Sequence, residues 1–260
     1  MQGEWTWGSE EAARLAAIRD DLAQVSTATA FHMVCMKGWR NTYLQGLLPI
    51  QELGLGKRLV GRARTVRYLM RRGPDVQPAD EAARAAARAA RSKSAEINLI
   101  EALEPGDFFL VDALGVLTAG VIGDILTTRI KARGAVAAII NGVVRDLPFI
   151  KSVGLPVFCL GSHPSASNRD VIAVDWDVPV NMAGCQVLPG DILLADDEGV
   201  VALPLELAEY VAAHGPAKEQ QELWIRAKIE AGGSVNEYYP PLPAQQAEYA
   251  RESGKEYKLG

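Results

Sequence analysis

The spacing of apolar residues along the chain predicts an α/β protein. From Ser9 to Val25 apolar residues recur every three or four positions, as on the buried face of an amphipathic helix. Between residues 108 and 203, short apolar runs bounded by glycine and proline alternate with helix-like segments, as in βαβ units. The predicted helices run from Ser9 to Val25, from Ser26 or Thr27 to Met36, from Ala79 to Leu103, from Asp124 to Arg133, from Asp146 to Val153, from Pro204, and from Lys218 to Ala231. The predicted strands are Arg62 to Leu69, Phe108 to Asp112, Ala135 to Ile140, Val157–Leu160, Val171–Val174, Ile192–Ala195 and Val200–Leu203.

The same pattern gives a domain organisation. A turn is predicted at Asn141-Gly142, and a glycine-rich loop is predicted from Gly115 to Gly123. Beyond Ser234 the chain has no clear periodicity, so residues 234–260 are expected to form an extended arm that either packs on a neighbouring subunit or is disordered. We therefore expect one catalytic domain over residues 1–233 and a C-terminal extension over 234–260.

Composition narrows the possible surroundings and partners. The chain has 260 residues, 48% of them hydrophobic, and a formal net charge of −5, which argues against broad binding of nucleic acid or anionic lipid. Its longest charge-free apolar runs are about half as long as a membrane-spanning helix of about 20 residues, and residues 1–11 lack the basic and apolar regions of a signal peptide. The three cysteines form no CxxC pair. We expect a cytoplasmic protein with no disulfide framework.

Two glycine-containing connections lie where chemistry is expected in a parallel sheet. One presents Gly123-Asp124-Ile125-Leu126 and the other presents Gly142 to Asp146. If the strands before them are parallel neighbours, both connections lie at the carboxyl edge of the sheet, where helix N-termini bind anions. Two carboxylates and the Arg145 guanidinium would then converge.

That group of residues suits the chemistry of 2-oxo acids. Mg²⁺ or Mn²⁺ commonly uses one or two protein carboxylates and several waters. Arg145 could bind a substrate carboxylate through two parallel hydrogen bonds, while the amides of Ile125 and Leu126 hold another oxygen. A cation beside a 2-oxo acid would stabilise the enolate formed when the adjacent carbon–carbon bond breaks. The alternative is that Asp124 and Asp146 only cap helices and that Arg145 forms an ordinary surface ion pair.

The order of these residues resembles the signature of a known family. Gly123-Asp124, twenty further residues and Arg145-Asp146 match the D-x20-R-D pattern of the RraA-like family. This family includes the regulator of ribonuclease E activity A and the 4-hydroxy-4-methyl-2-oxoglutarate (4-carboxy-4-hydroxy-2-oxoadipate) aldolases. The matching order extends from about Val25 to Gly232 and includes Asn141-Gly142-Val143-Val144, Gly154-Leu155-Pro156-Val157-Phe158, Pro179-Val180, Val187-Leu188-Pro189-Gly190-Asp191, Asp196 and Gly199-Val200-Val201.

The resemblance implies a fold, an assembly and residue roles. The fold would be a three-layer β/β/α swivelling-domain type with flanking N- and C-terminal helices, assembled as a homotrimer or homohexamer with sites between subunits. Asp146 would bind Mg²⁺ or Mn²⁺, Asp124 would act through a water on the metal, and Arg145 would contact substrate and support charge development. Gly123, Ile125 and Leu126 would hold the pyruvate end. Glu219 or Glu222 of a neighbouring subunit would complete the shell through water, and the sequence does not separate them.

The chain also departs from the family pattern. Phe31-His32 stand where the early helix usually carries an acidic residue, the segment after Gly232 is longer than in the compact aldolases, and the Ala/Arg helix is unusually basic. We expect these differences to shape the substrate pocket. The arginines of that helix, at positions 84, 88 and 91, are expected to be a solvated surface.

Other chemistry-bearing residues fit structural roles better. His32 is expected to be packed or hydrogen-bonded within its helix, and His214 to lie at a helix end. Cys159 and Cys185 are expected to be small buried hydrophobes, and Lys131 to lie too far along its helix for Schiff-base chemistry. His163 lies on a loop after a strand and could touch substrate. The glycines at 115, 120 and 123 match neither a dinucleotide nor a P-loop spacing.

The sequence thus predicts a divalent-metal-dependent lyase that cleaves a 4-hydroxy-2-oxo acid to pyruvate by retro-aldol reaction, with oxaloacetate decarboxylation as a side activity through the same enolate. Two alternatives stay open. One is a non-catalytic regulator that binds a protein partner such as ribonuclease E, and the other is a related lyase acting on a sugar-derived acid.

Overall fold

A computed structural model describes residues 7–72 and 79–257, apart from the side chain of Asn168. The helices are α1 (Ser9–Leu22), α2 (Thr27–Met36), α3 (Glu81–Arg91), α4 (Ala95–Ala102), α5 (Asp124–Ala132), α6 (Leu147–Val153), α7 (Leu205–Glu230), α8 (Val235–Tyr238) and α9 (Pro243–Ser253), with a 3₁₀ turn at Ser167–Arg169. The strands are β1 (Leu48–Pro49), β2 (Leu59–Met70), β3 (Asp107–Gly120), β4 (Ala137–Val143), β5 (Val157–Cys159), β6 (Val171–Trp176), β7 (Val180–Met182), β8 (Cys185–Val187), β9 (Ile192–Asp196) and β10 (Gly199–Leu203).

One mixed sheet forms the centre of the molecule. Over the described ranges it has eight strands, in the order β1-β5-β4-β3-β2-β9-β10, with β6 also paired to β2. Strands β2 to β5 are parallel, whereas β9 and β10 form an antiparallel hairpin. An antiparallel bridge between Tyr43 and Val201 brings the segment before β1 to β10, so the sheet is nearly closed. This is the predicted α/β class, and β3 and β4 are parallel neighbours as expected.

The alternation of side chains along β3 separates two layers of the core. Phe108 and Leu110 face the inside of the nearly closed sheet, where the β7–β8 hairpin packs. Phe109 and Val111 face the opposite side and pack with residues of α4, α5 and α6. All four side chains are fully buried, as the period of two along a strand requires. A third cluster joins α1, α2 and α7 to β9 and β10.

Several predicted helices and strands are confirmed within a few residues. The side chain of Ser26 accepts a hydrogen bond from the amide of Thr29 and so caps α2. The predicted turn at Asn141-Gly142 is wrong, because both residues lie inside β4. The side-chain amide of Asn141 is buried there and donates to Asp112 at 3.0 Å, which places Asn-Gly in a parallel strand instead of a hairpin.

Two predicted helix boundaries are also wrong. The long helix from Ala79 to Leu103 is two helices, because Ser94 caps a new helix, α4, whose apolar face is buried while α3 buries no residue. The two helices predicted after Pro204 are one, α7, which continues through Pro216. Packing of α7 against α1 and α2 supports this continuation. A Cβ on Gly215 would lie 2.4 Å from a methyl carbon of Val25, so the glycine lets α7 approach the connection between α1 and α2 closely.

The C-terminal segment is helical instead of extended. Helix α9 packs on α7, with the Tyr249 ring 5.3 Å from the Trp224 ring and Lys228 paired to Glu248 at 2.7 Å. The expected arm therefore folds on its own chain over residues 235–253, while residues 258–260 lie outside the described part. The boundary at residue 233 stays a prediction.

The expected solvated surface of the Ala/Arg helix is present: Arg84 and Arg88 of α3 are exposed and pair with Glu81 at 3.7 and 2.5 Å. Of the helices described here, none is both long and apolar enough to cross a membrane.

Candidate active site

The connections after β3 and β4 are held together by backbone hydrogen bonds. The amide of Val121 donates to the carbonyl of Val143 at 2.8 Å, and the amide of Arg145 donates to the carbonyl of Ile122 at 2.9 Å. These bonds hold Val121 and Ile122, just before α5, next to Val143 and Arg145, just before α6. The sheet therefore brings the Gly123-Asp124 connection to the Arg145-Asp146 connection at its carboxyl edge.

Arg145 and Asp146 form a partly exposed pair at this edge. Nε of Arg145 donates to Oδ2 of Asp146 at 3.0 Å, and their side chains are 42% and 37% exposed. Asp146 has φ = 57° and ψ = 35°, the left-handed conformation that few residues other than glycine, asparagine and aspartate adopt. It occupies the N-cap position of α6, but its carboxylate makes no capping hydrogen bond and instead faces Arg145. A pure capping role does not account for this geometry.

Two glycines allow the chain to approach this pair closely. A Cβ on Gly123 would lie 2.6 Å from Oδ2 of Asp146 and 3.1 Å from Nε of Arg145. A Cβ on Gly120 would lie 2.7 Å from Cβ of Arg145 and 2.9 Å from the carbonyl oxygen of His163. A side chain at Gly123 would displace the carboxylate or the guanidinium, and one at Gly120 would displace the backbone at Arg145 or His163.

The N-terminus of α5 supplies the second part of the site. Gly123 is its N-cap without a side-chain cap, and Asp124 is the first helical residue. The first intrahelical bond, from the amide of Thr127 to the carbonyl of Gly123, leaves the amides of Ile125 and Leu126 among the first-turn donors that a helix does not pair internally. These donors and the positive end of the helix dipole favour an anion at this position.

Glu219 and Glu222 have different surroundings. Glu219 accepts hydrogen bonds from the amide and hydroxyl of Ser26 at 2.8 and 2.7 Å, and lies 3.6 Å from Arg58. Burial acts to raise the pKa of Glu219, but hydrogen bonds from Ser26 and Thr29 and the charge of Arg58 outweigh it and lower that pKa. Glu222 is exposed beside Arg226 and Tyr239. Glu219 thus ties α7 to α2 within one chain, whereas Glu222 is exposed.

The remaining histidines and the lysine have structural contacts. The His214 ring packs 4.8 Å from the Tyr210 ring, and Nζ of Lys131 donates to the carbonyl of Val153 at the far end of α5. Nδ1 of His163 accepts a hydrogen bond from the amide of Ser165 at 3.1 Å, while its own amide donates to Val144, next to Arg145. Two predictions are wrong: His32 is exposed in α2 instead of packed, and His214 lies inside α7 instead of at a helix end.

Both buried cysteines are poor nucleophiles. Burial raises the pKa of the Cys159 thiol, and it raises that of Cys185 to about 12. The third cysteine, Cys35, is exposed, and all three are free thiols.

Sequence reasoning missed two features of the site. Gly120 was recognised only as part of a glycine-rich loop, although it touches Arg145. The buried carboxylate of Asp112 accepts hydrogen bonds from Asn141, from the amide of Leu114 at 3.1 Å and from the amide of Asn181 at 3.2 Å. This network fixes the middle of β3, which continues with irregular pairing to Gly120, so the predicted loop from Gly115 is wrong as far as Gly120. The sequence contained a signal for Asp112, because this carboxylate directly follows the apolar run that begins at Phe108.

Comparison with known proteins assigns the chain to a family. Residues 17–202 match the sequence profile of the RraA-like family, described as Aldolase/RraA. The chain belongs to the RraA-like family. The match includes both connections of the site, the Gly123-Asp124 and Arg145-Asp146 segments.

Solved structures agree with this assignment. The RraA-like chain superposes on RraAS2 of Streptomyces coelicolor with a TM-score of 0.68 and 30% identity, covering 81% of this chain and 96% of that one. RraAS2 is described as an unusual member of the RNase ES inhibitor RraA protein family. A protein from Pseudomonas syringae shares the fold, with a TM-score of 0.67 and 24% identity over 85% of this chain and 96% of that one.

Curated relatives of the RraA-like chain are longer than the matched region. Protein DlpA of Legionella pneumophila is 28% identical over 74% of this chain and 29% of its own length. A protein of Halalkalibacterium halodurans, provisionally named a 4-hydroxy-4-methyl-2-oxoglutarate aldolase, is 30% identical over 45% of this chain and 56% of its own length. The chain thus spans less than two thirds of either relative.

Proposed function

We propose that this protein is a divalent-cation-dependent carbon–carbon lyase that cleaves a 4-hydroxy-2-oxo acid to pyruvate, with oxaloacetate decarboxylation as a second reaction. The family includes such aldolases, and one relative is named for 4-hydroxy-4-methyl-2-oxoglutarate. The observation that carries the proposal is the contact of the Arg145–Asp146 pair with Gly123 at the N-terminus of α5.

The carboxylates at this edge fit Mg²⁺ or Mn²⁺ as the cation. Within residues 7–72 and 79–257, no group of three or more His, Cys, Asp or Glu side chains gathers to hold a metal ion. Mg²⁺ commonly takes only one or two oxygen ligands from a protein alongside several waters, and we assign these to Asp146 and Asp124. Asp146 would bind the ion directly and Asp124 would act through water. Glu222 of a neighbouring subunit is the better placed glutamate, because Glu219 is engaged with Ser26.

Each residue of the site then has a chemical task. The bound cation would supply Lewis-acid polarisation of the 2-oxo group. Arg145 would bind a substrate oxygen and stabilise negative charge as the carbon–carbon bond breaks, since its guanidinium is held in place by Asp146. The amides of Ile125 and Leu126 would hold the carboxylate of the pyruvate end. Gly123 keeps the space between them open.

A specific observation favours a second candidate, a protein-binding regulator. The likeness to RraAS2, at 30% identity and over nearly all of that structure, connects the chain to the RNase ES inhibitors. A regulator has no evident need for Arg145 and Asp146 beside a helix N-terminus, so we favour the lyase. A lyase for a sugar-derived acid would share the site and differ in the pocket.

The test is pyruvate release from 4-hydroxy-4-methyl-2-oxoglutarate and from oxaloacetate, with Mg²⁺ or Mn²⁺ and again with excess chelator. We expect release that the chelator abolishes. Asp146→Asn, in which asparagine tolerates the left-handed backbone, should abolish cation-dependent release, as should Asp146→Ala. Arg145→Ala should reduce kcat by about 100-fold or more with the cation bound.

The matched control is a similar ion pair remote from the site. Arg14 and Glu209 join α1 to α7 at 2.8 Å, with side chains 34% and 35% exposed. Glu209→Gln should leave turnover unchanged. Normal activity in the Asp146 or Arg145 variants would refute the site. No release from either acid, with cation binding shown by calorimetry, would favour another acid or the regulator.

A further inference from the structure

A cavity of about 360 Å³ lies at the amino ends of β2 and β3, on the opposite edge of the sheet from Arg145 and Asp146. Its walls are Trp7, Arg62, Arg64, Ala102, Glu104, Asp177, Pro189 and Gly190. The volume is at the lower end of the range of about 300–1,000 Å³ that small-molecule sites occupy. The proposed lyase site leaves this cavity without a role.

Two buried guanidinium groups form the floor of the cavity. The side chains of Arg62 and Arg64 are 10% and 12% exposed. Arg62 donates to Asp107 at 2.7 Å, and Arg64 donates to Asp107 at 3.2 Å and to Asp177 at 2.8 Å. Asp107 is 3% exposed and cannot leave without taking a buried ion-pair partner from both arginines.

Among the partners of these arginines that the structure describes, Glu104 is the one that can leave easily. Its Oε2 lies 3.2 Å from Nη2 of Arg62, but its side chain is 69% exposed. An ion pair that involves so exposed a carboxylate contributes little to stability. An anion from solution can therefore replace Glu104 at Arg62 with little penalty.

A third arginine lies near the cavity, behind Gly106. A guanidinium nitrogen of Arg19 lies 3.0 Å from where a Cβ of Gly106 would be, beside Asp107. Nε of Arg19 is buried without a hydrogen-bond partner among the residues that the structure describes. With Glu104 displaced, Arg62 and Arg64 face Asp107 and Asp177, so a ligand carboxylate at Arg62 takes over the negative charge that Glu104 supplied.

Trp7 provides an apolar wall at the same place. Its ring lies 5.2 Å from the Arg62 guanidinium carbon and also covers Gly190, where a Cβ would be 3.3 Å from the ring. A flat group entering beside Arg62 would contact this ring. Asp177, with φ = 47°, is held in the left-handed region at the other wall, and such strain is concentrated at binding sites.

We propose that this cavity is a second ligand site, which takes a small monoanion with a flat apolar group, an aromatic carboxylate being the simplest example. The carboxylate displaces Glu104 from Arg62, and the ring packs on Trp7. The site is separate from the lyase chemistry, so it stands or falls independently of the proposed function.

Calorimetric titration of the full chain with benzoate tests the proposal, with benzamide as the uncharged probe of the same shape. We expect saturable binding of benzoate and binding of benzamide weaker by about tenfold, because benzamide cannot form a charge-assisted bond to Arg62. Glu104→Gln should strengthen benzoate binding by about two- to fivefold, since it removes the competing carboxylate. Trp7→Ala should weaken it by about fivefold or more.

Two controls distinguish this site from others. Glu101→Gln removes an exposed carboxylate three positions away that pairs with Arg129 instead of Arg62, and it should leave the affinity unchanged. Arg145→Ala should also bind benzoate like the unaltered chain. Absence of saturable binding in both the unaltered chain and Glu104→Gln would overturn the proposal, as would an equal affinity in Glu104→Gln and Glu101→Gln or a loss of binding in Arg145→Ala.

Discussion

Gly123 determines how closely α5 can approach the Arg145–Asp146 pair. Its backbone, with φ = −120°, is one that any residue can adopt, so the glycine is required by space and not by strain. The missing Cβ would contact the charged ends of two side chains at once. A side chain at position 123 should therefore disturb the candidate active site and leave folding nearly unchanged.

We predict that Gly123→Ala reduces kcat/KM of pyruvate release by about 100-fold while changing the free energy of unfolding by about 1 kcal/mol or less, because it displaces Asp146 and Arg145 without burying or exposing core residues. Steady-state kinetics and denaturant unfolding measure the two effects. Gly8→Ala is the matched control: Gly8 is also an N-cap with extended backbone, and its Cβ would meet only the flexible end of Glu11. Unchanged kinetics in Gly123→Ala would contradict the geometry of the site.

At the scale of elements, helix α4 carries a buried carboxyl group that couples folding to pH. Burial raises the pKa of Glu96 to about 7, against the opposing effects of the Tyr68 hydroxyl and the Arg91 charge. In the unfolded chain this carboxyl ionises near its ordinary value of 4.5. Between these two values the folded state binds more protons than the unfolded state, so the free energy of unfolding falls as pH rises and levels off above the folded-state pKa.

In the unaltered chain we expect the free energy of unfolding to fall by about 1–3 kcal/mol between pH 5 and pH 8 because of Glu96. We predict that this fall is absent in Glu96→Gln. Denaturant unfolding across that range measures it. Burial raises the pKa of Asp191 to about 6, so Asp191 acts in the same direction at slightly lower pH and remains in the variant. Glu101→Gln, exposed on the same helix, should keep the original pH dependence; a Glu96→Gln profile that matches it would refute the assignment.

The sequence predicts those elements of this fold that local signals define. The βαβ unit of β3, α5 and β4 follows from apolar runs and glycines close together in the chain, and with it the approach of Gly123 to Arg145-Asp146. The uninterrupted α7 does not follow, because Pro216 is tolerated through contacts of α7 with α1 and α2. The strand conformation of Asn141 depends likewise on its hydrogen bond to Asp112.

The same limit explains why the sequence alone could not separate the two glutamates. Glu219 is identified as a structural residue by Ser26, which lies 193 positions away in the chain. Both glutamates occur in a charged helical stretch of similar composition. Only the tertiary contact distinguishes them.

For the whole molecule, the first question is whether residues 234–260 belong to the domain. Helix α9 buries Tyr249 against Trp224 of α7, and Glu252 accepts a hydrogen bond from the Trp224 indole at 2.7 Å. These contacts involve α7 alone among the described elements of the central fold, since the sheet and its three core clusters lie within residues 7–212.

We predict that a chain ending at Gly233 folds, with a lower melting temperature and a more solvent-exposed Trp224, because it loses the cover of α9 but keeps the core. Circular dichroism and tryptophan fluorescence measure both. The milder variant Tyr249→Ala should lower the melting temperature of the full chain in the same direction. A shortened chain that does not fold would make the C-terminal helices part of the domain itself.

The assembly gives the last prediction, since the proposed site needs Asp146 from one subunit and Glu222 from its neighbour. Asp146→Asn and Glu222→Gln should each be strongly impaired alone, but oligomers reassembled from an equal mixture should recover about a quarter of the original activity, because one interface in four then combines an intact Asp146 with an intact Glu222. Pyruvate release before and after denaturation and refolding of the mixture measures the recovery. Glu219→Gln replaces Glu222→Gln in the control mixture; it should lower stability through the lost contact with Ser26 and should not act across the interface. Mixed oligomers without recovery would mean that Asp146 and Glu222 do not act together across an interface.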